Sequence, residues 1–252
     1  MSTKNRSIFL AVSAIVLFTQ SMVAAQTTKP MKCSTASIKG TYGAALQGST
    51  NNGYLLGEGG QLTFDGKGTV NGMWIVVLSN GDVINVPATG SYSASSGCLG
   101  NMTITPQGYS AADFNIVVDS TQRLEMIQTD SGTIEVGYAL PQGKATCTTS
   151  GLAGVWNWNS VGYQIGVGPG GYIGRVNLLS NGKMKGVVTL SVDGQIYSDL
   201  NAGGTFSVGS DCIGIVNFTV QGQKQPSAEF VVVSDGSEIL IPGALGSITA
   251  SR

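Results

Sequence analysis

Short runs of β-branched and aromatic residues, separated by glycine-containing turns, make up most of the chain after residue 25. Apolar and polar residues alternate within these runs. In one of them, Leu62 and Phe64 would face one side of a strand, and Gln61 and Thr63 the other. No stretch of ten or more residues after residue 25 has the period of a helix. The pattern therefore predicts an all-β protein.

Turn signals divide these runs into hairpins. Asn80-Gly81 and Asp193-Gly194 each follow an apolar run, and such pairs favour type I′ turns, in which both central residues have positive φ. Runs and turns together predict about eight strands in each half of the chain.

The chain contains a tandem duplication. Cys33 and Cys98 are separated by 65 residues, as are Cys147 and Cys212, and a shift of 114 residues places one pair on the other. The same shift, without a gap, aligns further identical residues, including Gly60 with Gly174, Gly72 with Gly186, Gly90 with Gly204 and Thr105 with Thr219. We therefore predict two domains of the same fold, at residues 33–140 and 147–252.

Glycines that recur at equivalent strand positions in both halves fit the tight bends of a small barrel. We predict two tandem small antiparallel β-barrels after an N-terminal signal peptide, with two β-sandwiches as the alternative. The linker at residues 140–144 is short and contains Pro and Gly, so the two domains are expected to touch.

Residues 1–25 have the pattern of a secretory signal peptide. Lys4 and Arg6 precede an apolar run at residues 8–18, and residues 23–25 supply the small side chains that a signal peptidase needs. The apolar run is shorter than the about 20 residues of a membrane-spanning helix. We expect a mature protein that is secreted or periplasmic and not integral to a membrane.

The four cysteines are expected to form disulfides, because an exported chain occupies an oxidising compartment. If the halves are copies of one unit, the simplest pairing is Cys33–Cys98 and Cys147–Cys212. Four free thiols or a metal site are the alternatives. The close cysteine spacing of tetrahedral zinc sites is absent from the sequence, so we predict no metal site.

Composition limits the chemistry that the chain can perform. It has 37 glycines, 11% charged residues and no histidine. A sequence without histidine has no Ser-His-Asp triad, no Cys-His pair and no histidine-rich metal site. The formal net charge is −1 and no basic cluster is present, so no nucleic-acid partner is expected. The sequence indicates no catalytic residue and no cofactor.

Four residues are candidates for ligand binding. Asp113 and Glu229 each precede a phenylalanine and an apolar strand, and a two-residue insertion would make them equivalent. They would then place one carboxylate in each barrel cavity; the alternative is an outward side chain that limits edge pairing. Trp158 replaces Ala44 of the first half. With Tyr163 it would line a pocket for a small apolar ligand or a glycan, the alternative being core or interface packing.

One motif runs through the first half. Cys33, Ile38, Gly40 and Tyr42 are followed by Phe-Asp-Gly-Lys-Gly at residues 64–68, Gly-Ser-Tyr-Ser at 90–93 and Cys-Leu-Gly at 98–100. The second half departs from it, with Leu-Leu-Ser-Asn-Gly at residues 178–182. The motif resembles repeats in uncharacterised secreted proteins of environmental bacteria. The resemblance implies export and an all-β fold, and no function.

These observations favour an exported, non-catalytic binding or surface/matrix protein with two similar β domains. One alternative is a cavity-type enzyme, such as a cyclase or isomerase, that works without histidine. The other is a self-assembling extracellular structural subunit, because low charge and strand edges favour self-association.

Overall fold

The computed structural model describes residues 32–51, 55–77, 83–144, 146–164, 168–225, 227–242 and 248–252. The predicted signal peptide at residues 1–25 and the predicted turn at Asn80-Gly81 lie outside these ranges. The described residues form 17 strands and two short 3₁₀ turns.

The first domain is a closed barrel of antiparallel strands. Each strand pairs with the next one in the chain, and the last pairs with the first. The strands are β1 (Lys39–Thr50), β2 (Leu55–Asp65), β3 (Thr69–Val77), β4 (Val83–Ala94), β5 (Leu99–Pro106), β6 (Ala112–Val118), β7 (Leu124–Gln128) and β8 (Thr133–Pro141).

The second domain is built in the same way. Its sheet closes because the fourth strand pairs with the fifth and the last pairs with the first. The strands are β9 (Gly154–Gln164), β10 (Gly168–Leu178), β11 (Lys183–Val192), β12 (Gln195–Val208), β13 (Ile213–Val220), the marginal β14 (Gln223–Lys224), β15 (Ala228–Val233), β16 (Glu238–Ile241) and β17 (Ile248–Ser251). The predicted fold of two tandem antiparallel β-barrels is confirmed, and β-sandwiches are excluded.

The predicted disulfides close one end of each barrel. Cys33–Cys98 and Cys147–Cys212 are both formed. In the first barrel the bond joins the segment before β1 to the turn between β4 and β5. The side chain of Ile38 is fully buried and fills this end of the barrel interior. Leu152 is buried at the equivalent place in the second barrel. The opposite end of the first barrel, where β1, β3, β5 and β7 finish, is called here its hairpin end.

The two barrels pack side by side through an apolar interface. Ala45 and Leu140 of the first barrel form one buried cluster with Val231, Val233 and Leu240 of the second. The first barrel contributes small residues on the outer faces of β1 and β2, which let the second barrel approach closely. The expectation that the domains touch is therefore confirmed.

Gly43 is closely packed against the second barrel, and replacing it with valine should destabilise the protein. A Cβ at Gly43 would lie 2.5 Å from Cγ1 of Val233 and 2.8 Å from Cγ1 of Val231. We expect G43V to lower the free energy of unfolding by about 1–3 kcal/mol, as overpacking does, in chemical denaturation. Truncation of the partner in G43V/V233A should recover part of the loss. Equal stability of G43V and wild type would contradict the described interface.

Candidate functional site

Two glutamate side chains point into the first barrel. Glu58 lies on the same face of β2 as Leu62 and Phe64, which are core residues. Glu135 shares a face of β8 with the core residue Ala139 and is only 1% exposed, while Glu58 is half-buried. An acid in a barrel interior is unusual, because burial penalises the charged carboxylate.

Strand pairing brings the two glutamates together across β1. Leu46 of β1 pairs with Glu58, and Gly48 pairs with Glu135. Because residues two apart share a face of a strand, Gly48 also faces the interior. It has no side chain, and a Cβ at this position would collide with the carbonyl oxygen of Ile134 on β8.

Trp74 anchors the first of these acids. Its indole Nε1 donates a hydrogen bond of 3.0 Å to Oε2 of Glu58, and the ring is fully buried. Burial raises the pKa of Glu58, and the hydrogen bond from Trp74 lowers it by a smaller amount. The indole therefore fixes the position of the Glu58 carboxyl and favours its charged form.

Glu135 has no such anchor. Neither of its carboxylate oxygens has a hydrogen-bond partner within the described part of the chain. Burial, and then the charge of Glu58, raise its pKa to about 8. The Glu135 carboxyl is therefore mostly protonated at neutral pH.

Gln128 completes the polar cluster at the hairpin end. Ile127 pairs with Val136, so Gln128 and Glu135 are the next residues on the neighbouring strands β7 and β8. Nε2 of Gln128 donates to Oδ2 of Asp130 at 3.0 Å. Its Oε1 is buried, and no described residue donates to it. Glu58, Trp74, Gln128 and Glu135 are referred to below as the acidic site.

The second barrel does not repeat the acidic site. Tyr172 takes the place of Glu58, since it pairs with Ser160 as Glu58 pairs with Leu46. Val188 takes the place of Trp74, opposite Gly174. The acidic site is thus a property of the first copy alone among the described residues.

Asp113 and Glu229 do not face a barrel interior. Asp113 is exposed on the outer face of β6 and accepts a hydrogen bond of 2.6 Å from Thr103 Oγ1. Glu229 lies at the interface between the barrels, where it hydrogen-bonds the side chain of Asn85 and burial raises its pKa.

The assumed equivalence of these two acids is wrong, because the strand registers need no insertion. Asn115 pairs with Asn101 in the first barrel, and Glu229 pairs with Ile215 in the second, at the same shift of 114. Glu229 therefore matches Asn115. Asp113 matches Ser227, and the equivalent hydrogen bond runs in the opposite direction: Ser227 Oγ donates to Asn217, whereas Asp113 accepts from Thr103.

Trp158 lies inside the second barrel. It is 8% exposed, lines an apolar cavity of about 40 Å³ and packs edge-on against Phe218. It fills the space opposite Gly174 that Trp74 fills opposite Gly60 in the first barrel. A tryptophan on β9 thus replaces one on the third strand of the barrel, which explains why Ala44 and Trp158 differ.

The ligand pocket proposed for Trp158 and Tyr163 stays a prediction. Tyr163 belongs to β9, but its side chain lies outside the described part of the structure. The cavity at Trp158 has no polar lining, and Nε1 of Trp158 has no partner among the described residues.

A larger groove of about 400 Å³ lies on the outer face of β5, β6 and β7. Exposed Leu99, Val117 and Ile127 line it. Its carboxylate, Glu125, is solvated and already paired with Arg123 at 2.7 Å. The groove therefore has no polar group in need of a partner, in contrast to the acidic site.

Comparisons with protein-family models, curated proteins and solved structures found no match to this chain. No helix among the described residues is long and apolar enough to cross a membrane. In the same part of the chain, no group of three or more cysteine, aspartate or glutamate side chains is placed to hold a metal ion.

Proposed function

We propose that this is an exported, non-catalytic binding protein and that the acidic site of the first barrel receives its ligand. The observation that carries the proposal is Glu135, which is almost fully buried and has no described hydrogen-bond partner. A buried polar group without a partner costs about 1–3 kcal/mol, and more when it is charged. A ligand that donates hydrogen bonds to Glu135 would offset this cost. The two disulfides are consistent with an oxidising location outside the cytoplasm.

In this proposal the second barrel supports the site rather than binding at an equivalent one. Its strand β15 packs on the outer face of β1, and Pro242 lies against Gly59. Gly59 is the neighbour of Glu58 on β2. The interface therefore restrains the strands that carry the acidic site.

The proposal predicts a stabilising ligand whose effect depends on Glu135. Wild-type protein and E135Q would be compared by thermal shift with short alkylamines, monosaccharides and aliphatic alcohols. At least one of these classes should raise the Tm of wild type and leave that of E135Q unchanged. The matched control is D113N, which alters an exposed acid and should respond as wild type does. A panel in which no class has a Glu135-dependent effect would contradict the proposed site.

Catalysis is the second candidate, and the raised pKa of Glu135 beside a second buried carboxyl group favours it. A protonated Glu135 beside a carboxylate at Glu58 would supply a general acid and a general base to one buried site. This fits a cavity-type isomerase or cyclase. A catalytic role requires E58Q to abolish turnover of a compound that the variant still binds, whereas a binding role predicts weaker affinity and no turnover in wild type.

A further inference from the structure

We infer that the acidic site binds a protonated primary amine attached to a small apolar group; this inference rests on the binding function proposed above. Three properties of the site support this ligand class: its charge, the number of its free acceptors and the apolar side chains around it.

No described side chain of the barrel interior balances the charge of the site. Arg123–Glu125 is the ion pair found among the described residues, and it lies on the outer surface of the barrel. The described titratable side chains on the interior face of the first barrel are Tyr42 of β1, Glu58 of β2, Tyr92 of β4 and Glu135 of β8. None of them is a cation, so an external cation would supply the missing charge.

The free acceptors match the donors of a primary ammonium group. Such a group has three N–H donors, as the side chain of lysine does. Both carboxylate oxygens of Glu135 and Oε1 of Gln128 are buried and have no partners among the described residues, which gives three acceptors. A quaternary ammonium has no N–H donor and would leave these oxygens unsatisfied. Ca²⁺ prefers about six to eight oxygen ligands, more than these side chains offer.

The wall of the site is apolar and aromatic. Phe114 pairs with Gln128 across β6 and β7, and its ring centroid lies 6.4 Å from that of Trp74. Leu46 of β1 pairs with Glu58 of β2, and its side chain is fully buried. A short alkyl group attached to the amine would contact these side chains, whereas a sugar would leave hydroxyl groups against them.

The test is calorimetric titration of the full chain at pH 9 with four probes: n-butylamine, n-butanol, tetramethylammonium and Ca²⁺. We expect n-butylamine to bind wild type more tightly than any other probe. E135Q and E58Q should each weaken its binding at least tenfold, and D113N should leave it unchanged. Far-UV circular dichroism would show that each variant keeps its β structure.

The pH dependence gives an independent readout. Burial and the charge of Glu58 raise the pKa of Glu135 to about 8, so a proton competes with the amine below that pH. An alkylamine remains protonated at pH 9, as a lysine side chain does. The affinity for n-butylamine should therefore increase from pH 6 to pH 9 in wild type and depend less on pH in E135Q, which keeps only Glu58 as a titrating acid at the site.

The outcomes separate this inference from the proposed function. Equal or tighter binding of n-butanol, tetramethylammonium or Ca²⁺, lost in E135Q, would overturn the primary amine and keep the site. An affinity for n-butylamine that E135Q and E58Q do not alter would overturn both. The inference and the proposed function would also both be overturned if E135Q responded like wild type to every probe in the calorimetric titrations and in the thermal-shift panel.

Discussion

Replacing Glu135 with glutamine is expected to stabilise the protein at alkaline pH and to remove most of its pH dependence between about pH 5 and pH 8. The pKa of this carboxyl rises from its ordinary value of 4.5 to about 8 in the folded protein. The folded state therefore binds the proton more tightly than the unfolded state, and wild type loses stability as the pH rises through this window. The loss is at most about 5 kcal/mol. Glutamine keeps the volume of the side chain and cannot ionise.

Denaturant unfolding at pH 5 and pH 8.5 would measure this effect. E135Q should unfold at a higher denaturant concentration than wild type at pH 8.5 and at a similar one at pH 5. E58Q should reduce the pH dependence in part, because the charge of Glu58 is one cause of the raised pKa. D113N, which alters an exposed acid, should follow wild type. A wild type whose stability increases from pH 5 to pH 8.5 would contradict the burial of an ionisable Glu135 in the folded state.

Much of the fold was predictable because two independent regularities agree. Alternation along β2 places Leu62 and Phe64 inside, as observed, and the shift of 114 residues reappears in the pairing registers. A period of two identifies strands, and duplication identifies the unit that must close on itself. The disulfide pairing follows from the same symmetry, since both bonds join equivalent residues.

The acidic site could not be predicted from the sequence, because the alternation of apolar and polar residues in β8 assigns Glu135 to the outer face of the strand. Ile134 and Val136 are 56% and 46% exposed, while Glu135 between them is 1% exposed. A period-two pattern would place the two apolar residues inside and the acid outside. Only the closure of the barrel, which pairs Glu135 with Gly48, reverses this assignment. Long-range pairing of this kind is not encoded in local alternation.

The error at Asp113 and Glu229 has a related cause. Each acid precedes a phenylalanine and a run of apolar residues, and this local likeness suggested that the two positions are equivalent. The strand register decides otherwise, because it keeps a constant shift through β6 and β15. Glu58 was a better candidate for an interior acid than Asp113 or Glu229, because it lies on the same face of β2 as the inward residues Leu62 and Phe64.

Removing either disulfide is expected to destabilise its own barrel, and the two removals should have equal effects on the unfolded chain. Both bonds have a sequence separation of 65 residues. In the chain-entropy model a loop of this length contributes about 4 kcal/mol. Alanine is the suitable replacement, because all four cysteines are buried and serine would bury a hydroxyl group. The variants are therefore C33A/C98A and C147A/C212A.

Any difference in unfolding free energy between these two variants would therefore come from the folded state. Ile38 is fully buried beneath the first disulfide, and the hydroxyl of Tyr92 donates to its carbonyl oxygen at 2.7 Å. Ile38 would therefore stay attached to the first barrel through this hydrogen bond when the disulfide is removed. Leu152 at the equivalent place accepts a hydrogen bond from Trp156, and Arg252 donates to the carbonyl oxygens of Gly151 and Ala153 on either side of it. Because both segments keep long-range hydrogen bonds without their disulfides, we expect C33A/C98A and C147A/C212A to lose similar unfolding free energies in guanidinium titrations. Unchanged midpoints for both variants would contradict the stabilising role of the two bonds.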